Sequence, residues 1–338
     1  MKIFLKYHLN KYPKMQNQDK IKLIYQASLG PAHLVNDLNE KKIYKYILKE
    51  IKYSKNNQNK DDNYYEWISE DYLRININKE LNIKYLAKSF YNSATKSKYD
   101  KDILKDNLNK YLNEDGLINY DYLPIHHSSV FNEEYKPHYR LIHKDYLTSL
   151  MRIIQLQNFI DNQKNHTIIS LEGKCASGKT TISKNIDNVT ILSADDFFLS
   201  SDKKTKERLD KIGGNIDYEA VQQVLKAIKD AWENDKNKIT YQAYDCEKGD
   251  YYQKELILKN KILFEGVYSY HPYFNSLIDK CAYLYVDDNT QMNRILLRDM
   301  RDKFINEWIP LENKYFVKSL SNFGCSNEHN FLISFRFI

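Results

Sequence analysis

The chain has 338 residues, of which 42% are hydrophobic and 28% charged, and this composition excludes a fibrous or wholly disordered protein. The net charge of +6 is small for that length, so it does not indicate binding to nucleic acid. Four scattered cysteines without a CxxC pair argue against a zinc site or a disulfide scaffold, and no stretch approaches the ~20 apolar residues of a membrane span. We expect a cytoplasmic protein of about two domains.

The first predicted domain, residues 1–162, is mainly helical. Apolar residues at helical spacing predict helices near 1–29, 38–51, 79–96, 99–112 and 143–162. An alternating run at 72–77 predicts a single strand.

Three clusters in this domain carry chemically interesting side chains: residues 30–34 (GPAHL), 67–74 (WISEDYLR) and 126–140 (HHSSVFNEEYKPHYR). Two hypotheses are open for them. The favoured one is an accessory domain whose histidines lie on its surface or in satisfied core positions, because their spacing matches no recognised metal motif. The other is a metal or acidic-ligand site, whose predicted members are His33, His126, His127 and Glu133, with Arg74 and Arg140 assisting.

The second predicted domain, residues 166–338, alternates strands and helices. Short apolar runs predict strands at 166–171, 189–192, 261–264 and 282–286, and helices are predicted at 218–234, 289–301 and 304–320. An alternating run at 331–338 allows an edge strand. This order predicts an α/β fold with a mostly parallel sheet covered by helices.

The strongest motif is Gly173–Thr180 (GKCASGKT), which matches the phosphate-binding pattern G-x-x-x-x-G-K-[ST] between a predicted strand and a predicted helix. Backbone N–H groups in such a loop surround phosphate oxygens, Lys179 reaches the β- and γ-phosphates, and Thr180 binds magnesium. The predicted cofactors are therefore ATP and Mg²⁺. The predicted nucleotide-binding residues are Gly173, Ala176, Ser177, Gly178, Lys179, Thr180 and Thr181.

Two aspartates, Asp195 and Asp196, follow the second strand of this domain. A carboxylate at the carboxyl end of a parallel strand lies near the γ-phosphate, where it can accept a proton from an attacking hydroxyl. The alternative is that one aspartate caps a helix or holds magnesium through water.

The order of these motifs resembles the uridine kinase group of P-loop kinases, which includes nicotinamide riboside, pantothenate and phosphoribulose kinases. Tyr244-Asp245, the strand end at 262–266 (ILFEG) and an arginine-bearing helix around Arg298 extend the resemblance. Three segments, 208–218, 265–272 and 307–316, resemble bacterial uridine kinase-like proteins in particular. The resemblance spans about residues 166–320 and implies a P-loop NTPase fold.

The resemblance implies a role for each matching residue. Asp195 is the expected general base, and Lys179, Arg298 and Arg301 are expected to neutralise the transferring phosphoryl group. Thr180 and Glu265 are the expected magnesium ligands. The expected acceptor contacts are Asp196, Asn215, Asp217, Tyr244 and Asp245.

The expected function is an ATP-dependent kinase acting on a hydroxyl of a small molecule such as a nucleoside. The alternative is a nucleotide-gated regulatory protein without a small-molecule acceptor. The chain departs from the uridine kinases after Tyr244-Asp245, where Cys246 begins a segment that lacks their histidine. The residues that would recognise a pyrimidine base are therefore left open. No membrane partner is expected, and a nucleic-acid partner is not favoured.

Overall fold

The computed structural model describes residues 1–31, 39–54, 63–77, 81–97, 100–112, 126–299, 301–319 and 330–333. The chain divides into two compact units, Met1–Ile154 and Gln155–Ile338. The division falls within the helix α7 (Leu147–Asp161), a little before residue 162, where the first predicted domain ends. The predicted domain boundary itself stays a prediction. Among the described residues, no helix is long and apolar enough to cross a membrane.

The first unit combines helices with a small antiparallel sheet. Its helices before α7 are α1 (Lys2–Lys11), α2 (Asn17–Leu29), α3 (Glu40–Ser54), α4 (Ile83–Lys96), α5 (Lys101–Leu112) and α6 (Ser129–Tyr135). Its strands, in the order β1-β2-β3, are β1 (Tyr65–Trp67), β2 (Tyr72–Asn76) and β3 (Tyr139–His143). The prediction of a mainly helical domain is confirmed, but only β2 of the three strands was predicted.

Helix α2 begins where the sequence supplies a cap. The Gln16 N–H donates to the Asp19 carboxylate at 3.0 Å, and the Gln16 side chain accepts from the Asp19 backbone, which forms a capping box. The helix ends at Gly30, whose φ of 57° takes the chain out of the helical region. Leu23 and Ile24 from this helix are fully buried.

The second unit contains a five-stranded sheet flanked by helices. The strands of this unit are β4 (Thr167–Glu172), β5 (Thr190–Ser193), β6 (Lys238–Asp245), β7 (Asp250–Ile257), β8 (Lys261–Glu265), β9 (Lys280–Leu284) and β10 (Asn330–Ile333), of which β6 and β7 lie outside the five-stranded sheet. Its helices after α7 are α8 (Lys179–Ser183), α9 (Lys206–Leu209), α10 (Tyr218–Glu233), α11 (Asp288–Leu296), α12 (Arg301–Lys303) and α13 (Ile309–Ser319), with a π-helix at Phe304–Trp308 before α13.

The main sheet is parallel, with the strand order β10-β9-β4-β8-β5. Every residue of the central strand β4 is buried, as expected of a parallel strand covered on both faces. Helix α10 packs its apolar face into the same core, where Val221, Leu225 and Phe264 are fully buried. This architecture confirms the predicted α/β class with a P-loop between β4 and α8.

Two elements of this unit differ from expectation. Strands β6 and β7 form a separate antiparallel hairpin that was not predicted. Strand β10 pairs with β9 at the sheet edge, so the edge strand expected near the end of the chain is present over Asn330–Ile333. The rest of that predicted strand, residues 334–338, lies outside the described residues.

Candidate nucleotide-binding and catalytic site

The carboxyl ends of three neighbouring strands meet at one edge of the sheet. Glu265, the last residue of β8, is the register partner of Leu171 in β4 and of Ser193 in β5. The phosphate-binding loop therefore begins beside Glu265, and Asp195 follows β5 on the other side. This edge is where ligands bind in open parallel sheets.

The phosphate-binding loop has the backbone that its sequence predicts. Gly178 has a φ of 103°, which favours glycine, and Ala176 has a φ of 56°. Successive residues in such conformations turn their N–H groups toward one concave surface, which is suited to an anion. The loop leads directly into α8, a short helix of five residues that begins at Lys179.

The Lys179 side chain folds back over the phosphate-binding loop. Its ammonium donates to the carbonyl oxygens of Gly173 at 2.8 Å and Lys174 at 2.9 Å, and the residue is only 7% exposed. Arg294 in α11 braces the same loop by donating to the carbonyl of Ala176 at 2.9 Å. The cation at Lys179 is thus held beside the surface formed by the loop N–H groups.

Thr180 and Glu265 form an oxygen-donor pair. The Thr180 hydroxyl donates to Glu265 Oε1 at 3.2 Å, and Glu265 is buried. A hydroxyl and a carboxylate are the hard oxygen ligands that magnesium prefers, so these two residues fit the predicted ion. Burial raises the pKa of Glu265, opposed by Lys179. When bound, the ion would supply charge neutralisation at the phosphates.

Asp195 opens onto the cavity that these residues line. Its side chain is exposed to the cavity, yet the surrounding walls partly desolvate it and raise the pKa of its carboxyl group. Lys179 and Arg298 act in the opposite direction, since each lowers that pKa through its positive charge. The carboxylate therefore lies within electrostatic reach of two cations that line the same cavity.

The cavity has a volume of about 320 Å³. Nine of the predicted site residues line it: Ala176, Gly178, Lys179, Thr180, Thr181, Asp195, Asn215, Glu265 and Arg298. Part of its wall is apolar and aromatic. Phe198 and Trp308 stack there with ring centroids 5.9 Å apart, and Phe304 and Trp308 pack with Cys175 and Ala176 of the phosphate-binding loop. Cys246 also lines the cavity.

Asn215 reaches the cavity because of a tight turn. A Cβ atom on the preceding residue, Gly214, would lie 1.7 Å from the Arg208 carbonyl oxygen, so only glycine fits there. Asn215 is 3% exposed, and its Oδ1 atom has no hydrogen-bond partner among the described residues. A buried amide oxygen of this kind is suited to accept a hydrogen bond from a ligand.

Three of the predicted acceptor contacts have structural partners instead. The Asp196 carboxylate accepts from Tyr241 Oη at 2.6 Å and from Lys254 Nζ at 2.8 Å. Asp217 caps α10 by accepting from the Ala220 N–H at 2.9 Å. Asp245 accepts from two backbone N–H groups in the turn between β6 and β7. These three residues do not line the cavity.

Two further predicted site residues lie away from the cavity, and their roles stay predictions. Tyr244 packs against Tyr251 within the β6–β7 hairpin, and it does not line the cavity. Arg301 is exposed and does not line it either. The predicted helix over 289–301 would have placed Arg298 and Arg301 on one face, but α11 ends at Leu296 and Arg301 begins the separate helix α12.

Two buried glutamates that were not predicted hold the loop in place. Glu172, at the end of β4, accepts from the N–H groups of Gly173 and Tyr270 and from the Tyr315 hydroxyl. Burial raises the pKa of Glu172 to about 7, although these donors oppose the shift. Glu172 follows an ordinary apolar run, so no local motif marks it.

The second of these glutamates, Glu312 in α13, is 1% exposed. Its carboxylate accepts from the Cys175 N–H at 2.8 Å and from the Gln291 amide. Burial and the adjacent carboxylate raise the pKa of the Cys175 thiol to about 12, so this cysteine is a neutral packing residue of the loop. Glu312 lies within the segment 307–316 that resembles uridine kinase-like proteins.

No family profile and no curated protein matches the chain. Among solved structures, it is similar to a possible uridine kinase from Bacillus stearothermophilus, with 20% identity over 54% of this chain and 97% of that chain and a TM-score of 0.40. It is also similar to a candidate fructose transport system kinase from Silicibacter sp. TM1040, with 16% identity over 48% and 88% of the two chains and a TM-score of 0.36. A likeness at these values does not indicate which reaction the chain catalyses or which acceptor it uses.

Proposed function

We propose that the second unit is a magnesium-dependent kinase that transfers the γ-phosphoryl group of ATP to a hydroxyl group of an uncharged, nucleoside-like molecule. The observation that carries this proposal is the meeting of the phosphate-binding loop, the Thr180–Glu265 pair and Asp195 around one cavity. A site that only bound or hydrolysed a nucleotide would not need an acceptor pocket beyond the loop.

The residues divide the reaction between them. Asp195 accepts the proton of the acceptor hydroxyl as the oxygen bonds to the γ-phosphorus and the bond to the departing ADP breaks. Lys179 and Arg298 offset the negative charge on the transferring group, which is the main contribution that proteins make to such reactions. Arg294 acts indirectly by holding the loop carbonyls.

The aromatic part of the cavity wall supports the choice of an uncharged acceptor. Phe198 and Trp308 offer an aromatic surface on which a flat ring can stack, and Asn215 offers a hydrogen-bond acceptor. Lys179 and Arg298 are the only lysine and arginine among the described lining residues, and both act on Asp195. With both cations assigned to the phosphoryl group, a carboxylated acceptor such as glycerate or pantothenate would lack a dedicated cation.

Substitution of the base tests the proposal. Asp195→Asn keeps the size of the side chain and removes its ability to accept a proton, so we expect kcat to fall by at least about a hundredfold. Binding of ATP, measured by isothermal titration calorimetry, is expected to change little. The matched control is Asp202→Asn, at an exposed aspartate of the following segment, which is expected to retain full activity.

Unchanged turnover in the Asp195→Asn variant would remove Asp195 as the base. ATP binding and slow ATP hydrolysis without any acceptor-dependent step in the unaltered protein would favour a nucleotide-gated regulatory protein instead.

A further inference from the structure

A group of buried charged and polar side chains lies in the first unit. We call it the Arg74 cluster, and its members are Asp19, Lys22, Gln26, Glu66, Arg74 and His127. None of them is more than 9% exposed. Burying charge costs free energy unless the surroundings compensate it, so a unit that needed only a stable core would place apolar residues there.

Separate parts of the chain supply the cluster. Asp19, Lys22 and Gln26 recur at helical spacing along one face of α2. Glu66 and Arg74 are cross-strand partners in β1 and β2. His127 precedes α6 and lies in the sequence cluster 126–140. Arg74 lies in the cluster 67–74.

Arg74 is the centre of the cluster. Its Nε and Nη2 atoms donate to Gln26 Oε1 at 3.2 and 2.9 Å, and its Nη1 atom lies 3.6 Å from Glu66 Oε2. The guanidinium group lies 4.6 Å from the centre of the Tyr139 ring. This planar group is thereby fixed in orientation, as sites that bind carboxylate or phosphate require.

His127 is held between two partners. Its Nδ1 atom lies 3.0 Å from Asp19 Oδ1, and its Nε2 atom lies 2.7 Å from the Tyr139 hydroxyl. Burial, together with the charges of Arg74 and Lys22, lowers the pKa of His127, so the ring is neutral. Nδ1 then donates to the aspartate, and Nε2 accepts from the tyrosine.

Lys22 adds a second cation. Burial and the charge of Arg74 lower the pKa of Lys22 to about 8, although Asp19 raises it. Lys22 and Arg74 thus lie close enough for their charges to repel one another, although the carboxylates of Asp19 and Glu66 in the same cluster offset these charges. An anionic ligand would relieve the repulsion between the two cations.

Two buried atoms at the cluster, His8 Nδ1 and Glu66 Oε1, lack a hydrogen bond among the described residues, and Glu66 Oε1 lies 3.2 Å from Lys11 Nζ. His8 is fully buried, and its Nε2 atom donates to the Trp67 carbonyl at 3.0 Å. Its Nδ1 atom has no hydrogen-bond partner among the described residues and lies 3.7 Å from Glu66 Oε2. Since Nδ1 carries a lone pair, the group that would satisfy it is a hydrogen-bond donor.

We propose that the Arg74 cluster is a second ligand site, which takes a small oxyanion that also carries a hydroxyl group. Arg74 and Lys22 bind the phosphate or carboxylate group, and His8 accepts a hydrogen bond from the hydroxyl. This site does not depend on the kinase activity proposed for the other unit. No group of three or more His, Cys, Asp or Glu side chains in the described part of the chain is arranged to hold a metal, and His33, one predicted member of the metal site, lies outside the described residues.

Isothermal titration calorimetry of the full chain tests the proposal. The probes are glycerol phosphate, glycerate and inorganic phosphate, and the background carries Lys179→Ala to suppress phosphate binding at the P-loop. We expect saturable binding of glycerol phosphate or glycerate, and the better of the two shows whether phosphate or carboxylate is preferred. Inorganic phosphate, which lacks the alkyl hydroxyl, is expected to bind more weakly.

Three variants localise the binding. Arg74→Met and Lys22→Gln are each expected to weaken it by about tenfold or more, because each removes a hydrogen-bonding charge. Arg140→Met is the matched control: this arginine lies in the same unit, pairs with Glu50 at 2.6 Å and is expected to leave binding within about twofold. Circular dichroism verifies that each variant is folded, and Lys22→Gln serves if Arg74→Met is not.

Absence of binding by all three probes would overturn the proposal and leave the cluster as a structural network. Binding that survives both Arg74→Met and Lys22→Gln would overturn it as well.

Discussion

Among single residues, Asp195 most directly links the environment of the cavity to reactivity. An aspartate in water has a pKa of about 4, and the walls of the cavity raise that of Asp195. The ionised form accepts the proton, so a raised pKa moves the loss of activity to a higher pH. We expect kcat/KM to fall on the acid side with a midpoint above about 4, measured as a pH profile with circular dichroism as the control for folding.

A kcat/KM that stayed constant down to the pH at which the protein unfolds would contradict the assignment of Asp195 as the base. It would indicate that the acceptor hydroxyl is deprotonated without this carboxylate.

Residues within one contiguous motif could be predicted from the sequence. Gly178, Lys179 and Thr180 follow from the phosphate-binding pattern, because their geometry is set by the local backbone. Residues whose position depends on distant contacts could not be predicted in the same way. Glu312 reaches the loop only because α13 packs beside it.

Among the elements, the phosphate-binding loop depends on its distant supports. Glu312 accepts the Cys175 N–H, and this charge-assisted bond contributes about 1.5–3 kcal/mol. We expect Glu312→Gln to weaken ATP binding by roughly tenfold, measured with a fluorescent ATP analogue, because the loop loses a fixed anchor. The control is Glu307→Gln in the preceding π-helix, which is expected to bind ATP normally.

ATP affinity unchanged in Glu312→Gln would show that the loop keeps its shape without that anchor. Loss of affinity in both variants would indicate that the segment acts through its overall charge.

The secondary-structure predictions were wrong where tertiary structure interrupts a local sequence pattern. A helix was predicted over residues 289–301, yet α11 ends at Leu296. Arg301 begins a separate helix and does not line the cavity. The β6–β7 hairpin was missed although buried residues alternate at Tyr241 and Ala243. That alternation, followed by the turn at Gly249, is the signal that could have revealed it. The hairpin also explains why Tyr244 and Asp245 have structural roles.

For the whole molecule, the division into two compact units has a thermodynamic consequence. A ligand that binds only the folded second unit stabilises that unit by about 2.7 kcal/mol at a hundred times its dissociation constant. We expect calorimetry to show two unfolding transitions, of which ATP with magnesium raises one by several degrees. A single transition that shifts as a whole would contradict independent unfolding of the two units.

The overall α/β class of the second unit was predictable because strands and helices alternate along the chain. The site proposed in the first unit was not, because it joins α2, β1, β2 and the start of α6. Arg74 and His127 were noticed in the sequence, but Tyr139, which contacts both, and Gln26, which accepts from Arg74, emerge only from the fold.

The most direct test of the central claim is a coupled assay of ADP release with ATP and magnesium. The acceptors are uridine, cytidine, nicotinamide riboside, pantothenate and glycerate, each compared with a reaction that lacks an acceptor. We predict ADP release that depends on one of the three nucleosides and not on the two carboxylates. ADP release that depends on pantothenate or glycerate would contradict the uncharged acceptor, and ATP binding without acceptor-dependent release by any compound would contradict the proposed kinase.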